Sequence, residues 1–487
     1  MEKYPVRYIR STRRDFIGGS LVLAASGGLA PVAAAALLIL NDASRLNPTP
    51  VAKHWLARMS NKDDFIAHLR SELAEAAQAN RPVAVGVARH SMGGQSLPRD
   101  GTAITLGGEV LQVDTAAKTY LVSAGARWAD VIRTLDPLGF SPAVMQSNND
   151  FGVGSTYCVN SHGWPVPHGP FGSTVRSLRM MLSDGSIVEC SRTKNSELFA
   201  FAMGGYGLFG IILDLELDMV PNLQLAPRAE FMNGSELASR FAGALMSDPT
   251  IRMAYGRFSV ARSSFLKEAL LVTYRPTPNA PKHLPAAAKN LFATIARDVY
   301  RAQIGNEAAK KARWMAETRF NPALAAGVVT RNTLMNTSAS ILAGHDPRRT
   351  DILHEYFIPP ERFPAFIADC SEIIPPARAE LLNVTLRYVG ADDIAALAYA
   401  PSPRLAAVMS FSQEISPEGE VDMTRMTERL IERAIDLGGA FYLPYRLHAR
   451  RDQVRAAYPR ADEFAERKRS YDPKLLFRNG MWDAYFA

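Results

Sequence analysis

The run Val83-Ala-Val-Gly-Val87 is apolar without interruption, and a short Val-rich run of this kind predicts a buried strand. Upstream, residues 63–79 space their apolar side chains with a helical period, which predicts a helix packed beside that strand. Two alternating runs at 109–114 and 119–124, joined by Thr115-Ala-Ala-Lys118, predict a hairpin. Residues 128–135 read as a short helix stopped near Pro137 and Gly139. Up to about Pro221 strands, short helices and Gly-rich turns keep mixing, as in an α+β domain. Residues 223–284 read as mainly strand and loop, with a helix near 235–245. The pattern turns helical over 285–340, through 286–300 and 307–316. Strand-like runs return at 355–358, 382–388 and 406–411, followed by a long helix at 423–437 ended by Gly438-Gly439. Residues 464–469 and Tyr471-Asp-Pro473 open a compact aromatic tail.

At 487 residues the chain exceeds what one core holds, so two or more domains are expected. The expected division is 1–45 as an export signal or anchor, 46–222 as a first domain, 223–455 as a second with the helical insertion 285–340, and 456–487 returning to the first. The signal reading rests on Ser11-Thr-Arg13-Arg14-Asp-Phe16-Ile17, which resembles a twin-arginine signal ahead of an apolar stretch near 16–40. Ala33-Ala34-Ala35 offers a cleavage site, and the same stretch is long enough to serve instead as a membrane anchor. The expected location is therefore periplasmic, or anchored to the membrane facing outward. A net charge of +7 spread over scattered Lys and Arg argues against nucleic acid as a partner. Cys158, Cys190 and Cys370 show no metal or disulfide spacing, so neither a metal site nor a disulfide framework is expected.

The candidate chemistry sits in three glycine-rich loops. The first strand empties into Arg89-His90-Ser91-Met92-Gly93-Gly94-Gln95-Ser96. Adjacent glycines allow several backbone N–H groups to converge on an anion such as a pyrophosphate. The second loop runs from Gly152-Val-Gly154-Ser155 to Asn160-Ser-His162-Gly163, and the third from Asn195 through Gly205 to Gly210-Ile211. Together they suit a long, polar, phosphate-bearing cofactor. The Gly-x-Gly-x-x-Gly pattern of a Rossmann site and the P-loop pattern are both absent.

Arg89-His90-Ser91, the 152–163 loop, and Asn195-Ser-Glu-Leu-Phe199 leading to Gly205-Tyr-Gly-Leu-Phe-Gly210-Ile211 resemble one known family. They look like the FAD-binding domain of the vanillyl-alcohol oxidase/para-cresol methylhydroxylase (PCMH) flavoproteins, most similar to bacterial FAD-linked oxidoreductases near the aldonolactone and alditol oxidases. The resemblance covers about residues 50–221. It implies an α+β fold with a two-part, PCMH-type FAD domain and a cap domain on an antiparallel sheet. It also implies FAD contacts from Arg89 to Ser96, Gly152, Gly154, Ser155, Asn160, His162, Gly163, Gly205, Gly210 and Ile211. Relatives with Arg-His-Ser in the first loop often carry FAD covalently through the flavin 8α-methyl, which makes His90 the expected attachment point. Cys158 follows Gly152-Val-Gly154 rather than preceding it, so no second covalent bond is expected. His162 is expected to make a polar contact near the flavin or to serve as a structural loop histidine, and His168 reads as a loop residue.

Substrate chemistry is expected from the second domain. The alternation of Leu382-Asn383-Val-Thr385-Leu-Arg387-Tyr388 puts Asn383, Thr385 and Arg387 on one face. Gly439-Ala-Phe-Tyr442-Leu-Pro-Tyr445-Arg446-Leu-His448 gathers further polar groups. From these segments His448 or Tyr445 is the candidate base, and Arg387 or Arg446 the candidate cation. The His-Trp-Gly-Lys motif that aldonolactone oxidases tend to carry near the C-terminus is absent, which speaks against a sugar-lactone substrate. The expected activity is oxidation of a CH–OH group of a small-molecule alcohol, polyol or sugar, with O₂ or another electron acceptor. An FAD enzyme acting on C–C or C=C bonds, or a flavin-carrying electron-transfer protein, stands as the alternative.

Overall fold

A Val-rich segment with no polar interruption is stable only when covered on both faces, and here it lies in a small parallel sheet under a helix. In the computed structural model, which describes residues 38–58, 62–281, 283–288, 293–320, 327–344 and 346–487, that sheet joins three strands. They are β3 (Lys53–Arg58), β4 (Val83–Gly86) and β5 (Thr102–Gly107), in the order β3-β5-β4. The helix Lys62–Gln78 covers it, burying Phe65, Leu69, Leu73 and Ala76, one stripe at helical spacing. Ahead of it β1 (Leu38–Leu40) and β2 (Thr49–Val51) form an antiparallel ribbon. The chain divides into the units Met1–Leu37 and Leu38–Ala487. The export-signal motif at 11–17 falls outside the described residues, and among these no helix is long and apolar enough to cross a membrane.

A second, antiparallel sheet follows. Its strands are β6 (Val110–Asp114), β7 (Thr119–Ser123), β8 (Phe140–Pro142), β9 (Val175–Met181), β10 (Ile187–Ser191) and β11 (Ile211–Pro221). The order is β10-β9-β11-β7-β6, with β8 on β11. The hairpin β6–β7 turns at residues 115–118 where Asp114 accepts the Ala116 and Ala117 amides. The helix Trp128–Leu135 buries Trp128, Val131, Ile132 and Leu135 and stops before Pro137.

The third sheet holds eight strands: β12 (Gln224–Asn233), β13 (Met253–Phe258), β14 (Glu268–Pro276), β15 (Val329–Thr330), β16 (Arg349–Ile358), β17 (Glu380–Val389), β18 (Arg404–Glu414) and β19 (Ala440–Phe441). Its order is β15-β12-β14-β13-β17-β18-β16-β19, antiparallel throughout. The back of β16 and β18 packs on the helix Pro417–Asp436, which buries Met423, Met426, Leu430, Ile431 and Ala434. That helix starts six residues before the apolar period begins. Ser416 caps it through the Gly419 amide at 3.0 Å, and Pro417 occupies the first turn. Among the described residues of the expected helical segment, helices run over Ala293–Arg301, Glu307–Arg319 and Arg331–Met335.

The C-terminal residues lie against the first sheet. Val83 donates to the Leu476 carbonyl at 2.7 Å and accepts from the Arg478 amide at 3.1 Å. Asp472 holds this turn by accepting the Leu476 and Phe477 amides and pairing with the buried Lys468. The fold is α+β, as expected.

Candidate active site

The first loop is locked between two distant segments. The Gly93 amide donates to Gln95 Oε1 at 2.8 Å, while Gln95 Nε2 donates to the Leu443 and Tyr445 carbonyls. A β-carbon on Gly93 would stand 2.6 Å from the Tyr445 carbonyl oxygen, so only glycine lets residues 443–447 cross here. Met92 donates to Pro444 at 2.8 Å. From the other side, Asp42 accepts the Gly94 amide at 2.9 Å and the Asn47 side-chain amide at 2.7 Å.

Within this loop Arg89 takes a left-handed φ of 51° and sends its guanidinium back to Thr105 Oγ1. Burial pushes Arg89 down to about 10, and its Nε and Nη2 have no partner. The hydroxyl of Ser96 is likewise buried without a partner, and Ser91 is partly buried nearby. The His90 ring stacks on Phe151 at 4.1 Å between centroids, with Nε2 4.0 Å from Asp150 Oδ2. Burial holds His90 below its ordinary range, and the Arg127 charge adds to this against the pull of Asp150.

In the second loop a β-carbon on Gly152 would meet Val87 at 2.4 Å, so the helix Val153–Cys158 docks directly on the end of the first strand. Gly154 packs in the same way on Ala124, with Ser155 partly exposed beside it. Asn160 is spent on structure: it donates to Asp392 at 2.7 Å and accepts the Gly172 amide at 2.9 Å. Gly163 lies on the Met145 carbonyl, Gly205 on that of Phe201, and Gly210 on that of Met181. Ile211 opens β11, opposite Met181 and fully buried. Burial raises the Cys158 thiol to about 12.

The front of the eight-stranded sheet, the expected cap sheet, brings a further group of polar side chains together. Directly opposed residues share a face, so Glu355 on β16 lines up with Val408, Thr385 and Arg257 across β18, β17 and β13. Glu355 and His162 are nearly sealed from solvent, and His162 Nε2 stands 2.5 Å from Glu355 Oε1. The Tyr445 hydroxyl donates to Glu355 Oε2 at 3.2 Å. Burial, then the Glu355 charge, raises the Tyr445 phenol well above its ordinary value. Arg387, on the same sheet face, donates to Ser147 Oγ, and its buried Nε has no partner. Gln146 Nε2 and Trp164 Nε1 are two more buried donors without partners. Phe357, stacked on Tyr399 at 4.0 Å, and Tyr442 wall this space.

The four expected catalytic residues are not brought together. Tyr445 and Arg387 stand with Glu355, whereas Arg446 and His448 belong to a second cluster beside the helix Pro417–Asp436. There Glu420 Oε1 pairs with Arg446 and with His448 Nε2 at 3.0 Å. His448 Nδ1 faces Thr427 at 3.2 Å, and the buried His354 lies 5.7 Å from His448 between ring centroids. Arg446 also donates to the Met92 carbonyl at 3.0 Å, tying this cluster to the first loop. Burial opposes the Glu420 charge, but His448 and Arg446 hold that carboxyl well below its usual range.

Glu420→Gln is therefore expected to destabilise the fold by about 1–2 kcal/mol at pH 7, discounted for partial exposure. A folded pKa below the unfolded 4.5 means this stability is present above about pH 4.5 and lost as pH falls further. Urea midpoints of the two proteins should thus converge toward acid.

Glu355, Ser147, Gln146 and Asp42 are absent from the sequence-based candidates. One signal existed for Glu355, a carboxylate inside the apolar run Glu355-Tyr-Phe-Ile358. Among the described residues no three His, Cys, Asp or Glu side chains gather as metal ligands.

The donor-rich lining fits an FAD-like group. Arg89 and Ser96 offer unpaired donors at the loop after β4, and Gln146 and Arg387 do so at the cap sheet. Residues 65–191 match the family model described as FAD binding domain. L-Gulonolactone oxidase of Mus musculus is 32% identical over 162 residues, 33% of this chain and 37% of the relative. Cytokinin dehydrogenase 8 of Oryza sativa subsp. indica is 32% identical over 215 residues, 39% of this chain and 40% of the relative. Mitochondrial L-galactono-1,4-lactone dehydrogenase of Arabidopsis thaliana is 24% identical over 254 residues, 51% and 40% respectively. The aligned part spans 37–40% of the length of these relatives. Residues 65–191 thus carry an FAD-binding domain. Over the aligned residues the chain is similar to FAD-linked lactone oxidases and dehydrogenases and to a cytokinin dehydrogenase.

Proposed function

We propose that this protein is an FAD-dependent oxidoreductase that removes a hydride from the CH–OH group of an alcohol, polyol or sugar-like substrate. The observation that carries this reading is the sealed Glu355 carboxylate, bonded to His162 and Tyr445 and close to Arg387. When bound, FAD would supply the two-electron acceptor for the C–H bond, with O₂ or another acceptor as the final oxidant. The phenolic oxygen of Tyr445 accepts the substrate hydroxyl proton while its own proton moves to Glu355 Oε2. A phenol both donates and accepts, so one residue serves as relay. His162 holds the other carboxylate oxygen and fixes its direction. Arg387 would supply positive charge that orients an electron-rich group of the substrate beside Glu355.

His90 is the proposed covalent attachment point of FAD, supported by its neutral ring in the first loop. Export by the twin-arginine route, to the periplasm or to an outward-facing membrane anchor, is proposed from the Ser11–Ile17 motif. Similarity to lactone-oxidising relatives supports a CH–OH donor. The test is anaerobic mixing of the yellow protein with a panel of alcohols, polyols and hydroxy acids. Bleaching of the flavin band is expected with at least one donor. No bleaching with any organic donor would replace this reading with that of an electron carrier.

A further inference from the structure

We infer that the substrate carries a carboxylate, as in a hydroxy acid or sugar acid, bound between Arg257 and Arg387 on the front face of the cap sheet. This rests on the oxidoreductase reading above and narrows its substrate class.

The placement follows from register. Arg257 on β13 opposes Thr385 on β17, and Arg387 lies two residues beyond Thr385 on the same face. Diagonal neighbours of this kind stand ~7–8 Å apart at Cα, close enough for two guanidinium groups to flank one carboxylate. Both guanidiniums rest only on neutral oxygens. Arg257 bonds to the Asn383 and Thr385 side chains, the latter at 2.9 Å, and Arg387 to Ser147. Among the described residues neither has a carboxylate within ion-pair distance.

The surrounding arginines are treated differently. Arg313 pairs with Glu317 at 2.8 Å, and Arg301 pairs with Asp351. Arg387 Nε has nothing. Glu355, the acid on this face nearest the reacting centre, is already taken by His162 and Tyr445.

A third donor points to the same space. Trp164 Nε1 is buried and unpartnered, and its ring lies 5.6 Å from that of Tyr255, over which Arg257 also sits. Withholding counter-charges from two guanidiniums in a partly desolvated face is unfavourable unless a ligand provides one. A neutral lactone or polyol accepts hydrogen bonds but brings no counter-charge to Arg257 and leaves Arg387 only the more distant Glu355. A carboxylate satisfies the forked donors and the charge together.

The experiment pairs donors that differ at one position: gluconate with glucitol, L-gulonate with L-gulono-1,4-lactone, and glycolate with ethylene glycol. With the flavin-loaded protein under anaerobic conditions, the acid of at least one pair should reduce the flavin at least tenfold more efficiently. Arg257→Met should collapse that acid-to-neutral ratio by about 10–100-fold, the loss of one charge-assisted contact, mainly through KM. Arg257→Lys should recover part of it, and Trp164→Phe should lower the ratio more mildly. A preference for the neutral member in every pair, or an unchanged ratio in Arg257→Met with full flavin content, overturns the inference. If no donor bleaches the flavin, the oxidoreductase reading fails first. Oxalate then tests the site on its own: a shift of the flavin band that Arg257→Met abolishes supports it, and no shift removes it.

Discussion

Glu355→Gln is expected to lower the rate of flavin reduction by about 10²–10⁴-fold with flavin content intact, the range that a positioned proton acceptor contributes. Glutamine keeps the size and the contact with Tyr445 but cannot hold the proton delivered to Oε2. Tyr445→Phe removes the relay instead and is expected to cost about 10²-fold or more by the same reasoning. Because the two act in one path, the double variant should be little worse than Glu355→Gln alone. Burial, then Glu355, holds the Tyr445 phenol protonated to well above 10. Its ionisation therefore introduces no alkaline loss of rate below about pH 10. Anaerobic stopped-flow bleaching measures all three variants. Normal reduction in Glu355→Gln would remove the carboxylate from the mechanism.

Secondary structure was legible wherever one face of an element is apolar. The helix expected at 128–135 is Trp128–Leu135, and the strand expected at 382–388 extends by only a few residues to Glu380–Val389. Where polar caps set the limits, the apolar period misled. The Pro417–Asp436 helix owes its first turn to Ser416 and Pro417, which carry no periodic signal.

The site was legible only in part, because a turn and a strand alternation separate residues that the sequence places side by side. In an extended segment successive side chains leave on opposite sides. The segment after β19 turns at residues 443–445, so Tyr445 meets Glu355 while Arg446 and His448 beyond it meet Glu420. Alternation on β16 sends Glu355 to the front of the sheet and His354 to the back, where it faces Thr427. Proximity in sequence grouped residues 445–448, and the sheet between the two clusters divides them. The His162–Glu355 contact joins positions 193 residues apart, so no local pattern announces it. The glycine loops, by contrast, were visible because backbone contacts there leave no room for a β-carbon, a constraint written directly as glycine.

The second large effect is expected at His90. Burial dominates its environment and keeps the imidazole below its ordinary 6.5, so at pH 7 the ring is neutral and a nitrogen lone pair is free to attack an electrophilic carbon. Phe151 stacks on the ring and Asp150 lies against Nε2, limiting its orientation before any bond forms. His90→Ala should therefore release all of its flavin on denaturation, whereas the unchanged protein should keep its flavin on the polypeptide. The fold does not depend on the tether, since the first loop is held by Asp42, Gln95 and the 443–447 crossing. The variant should remain folded and still bind FAD reversibly. Ultraviolet fluorescence of an acid-treated denaturing gel, with intact mass as a second readout, decides the matter. Fluorescence that stays with the His90→Ala chain would move the attachment elsewhere, and an unchanged protein that releases all its flavin would eliminate the tether.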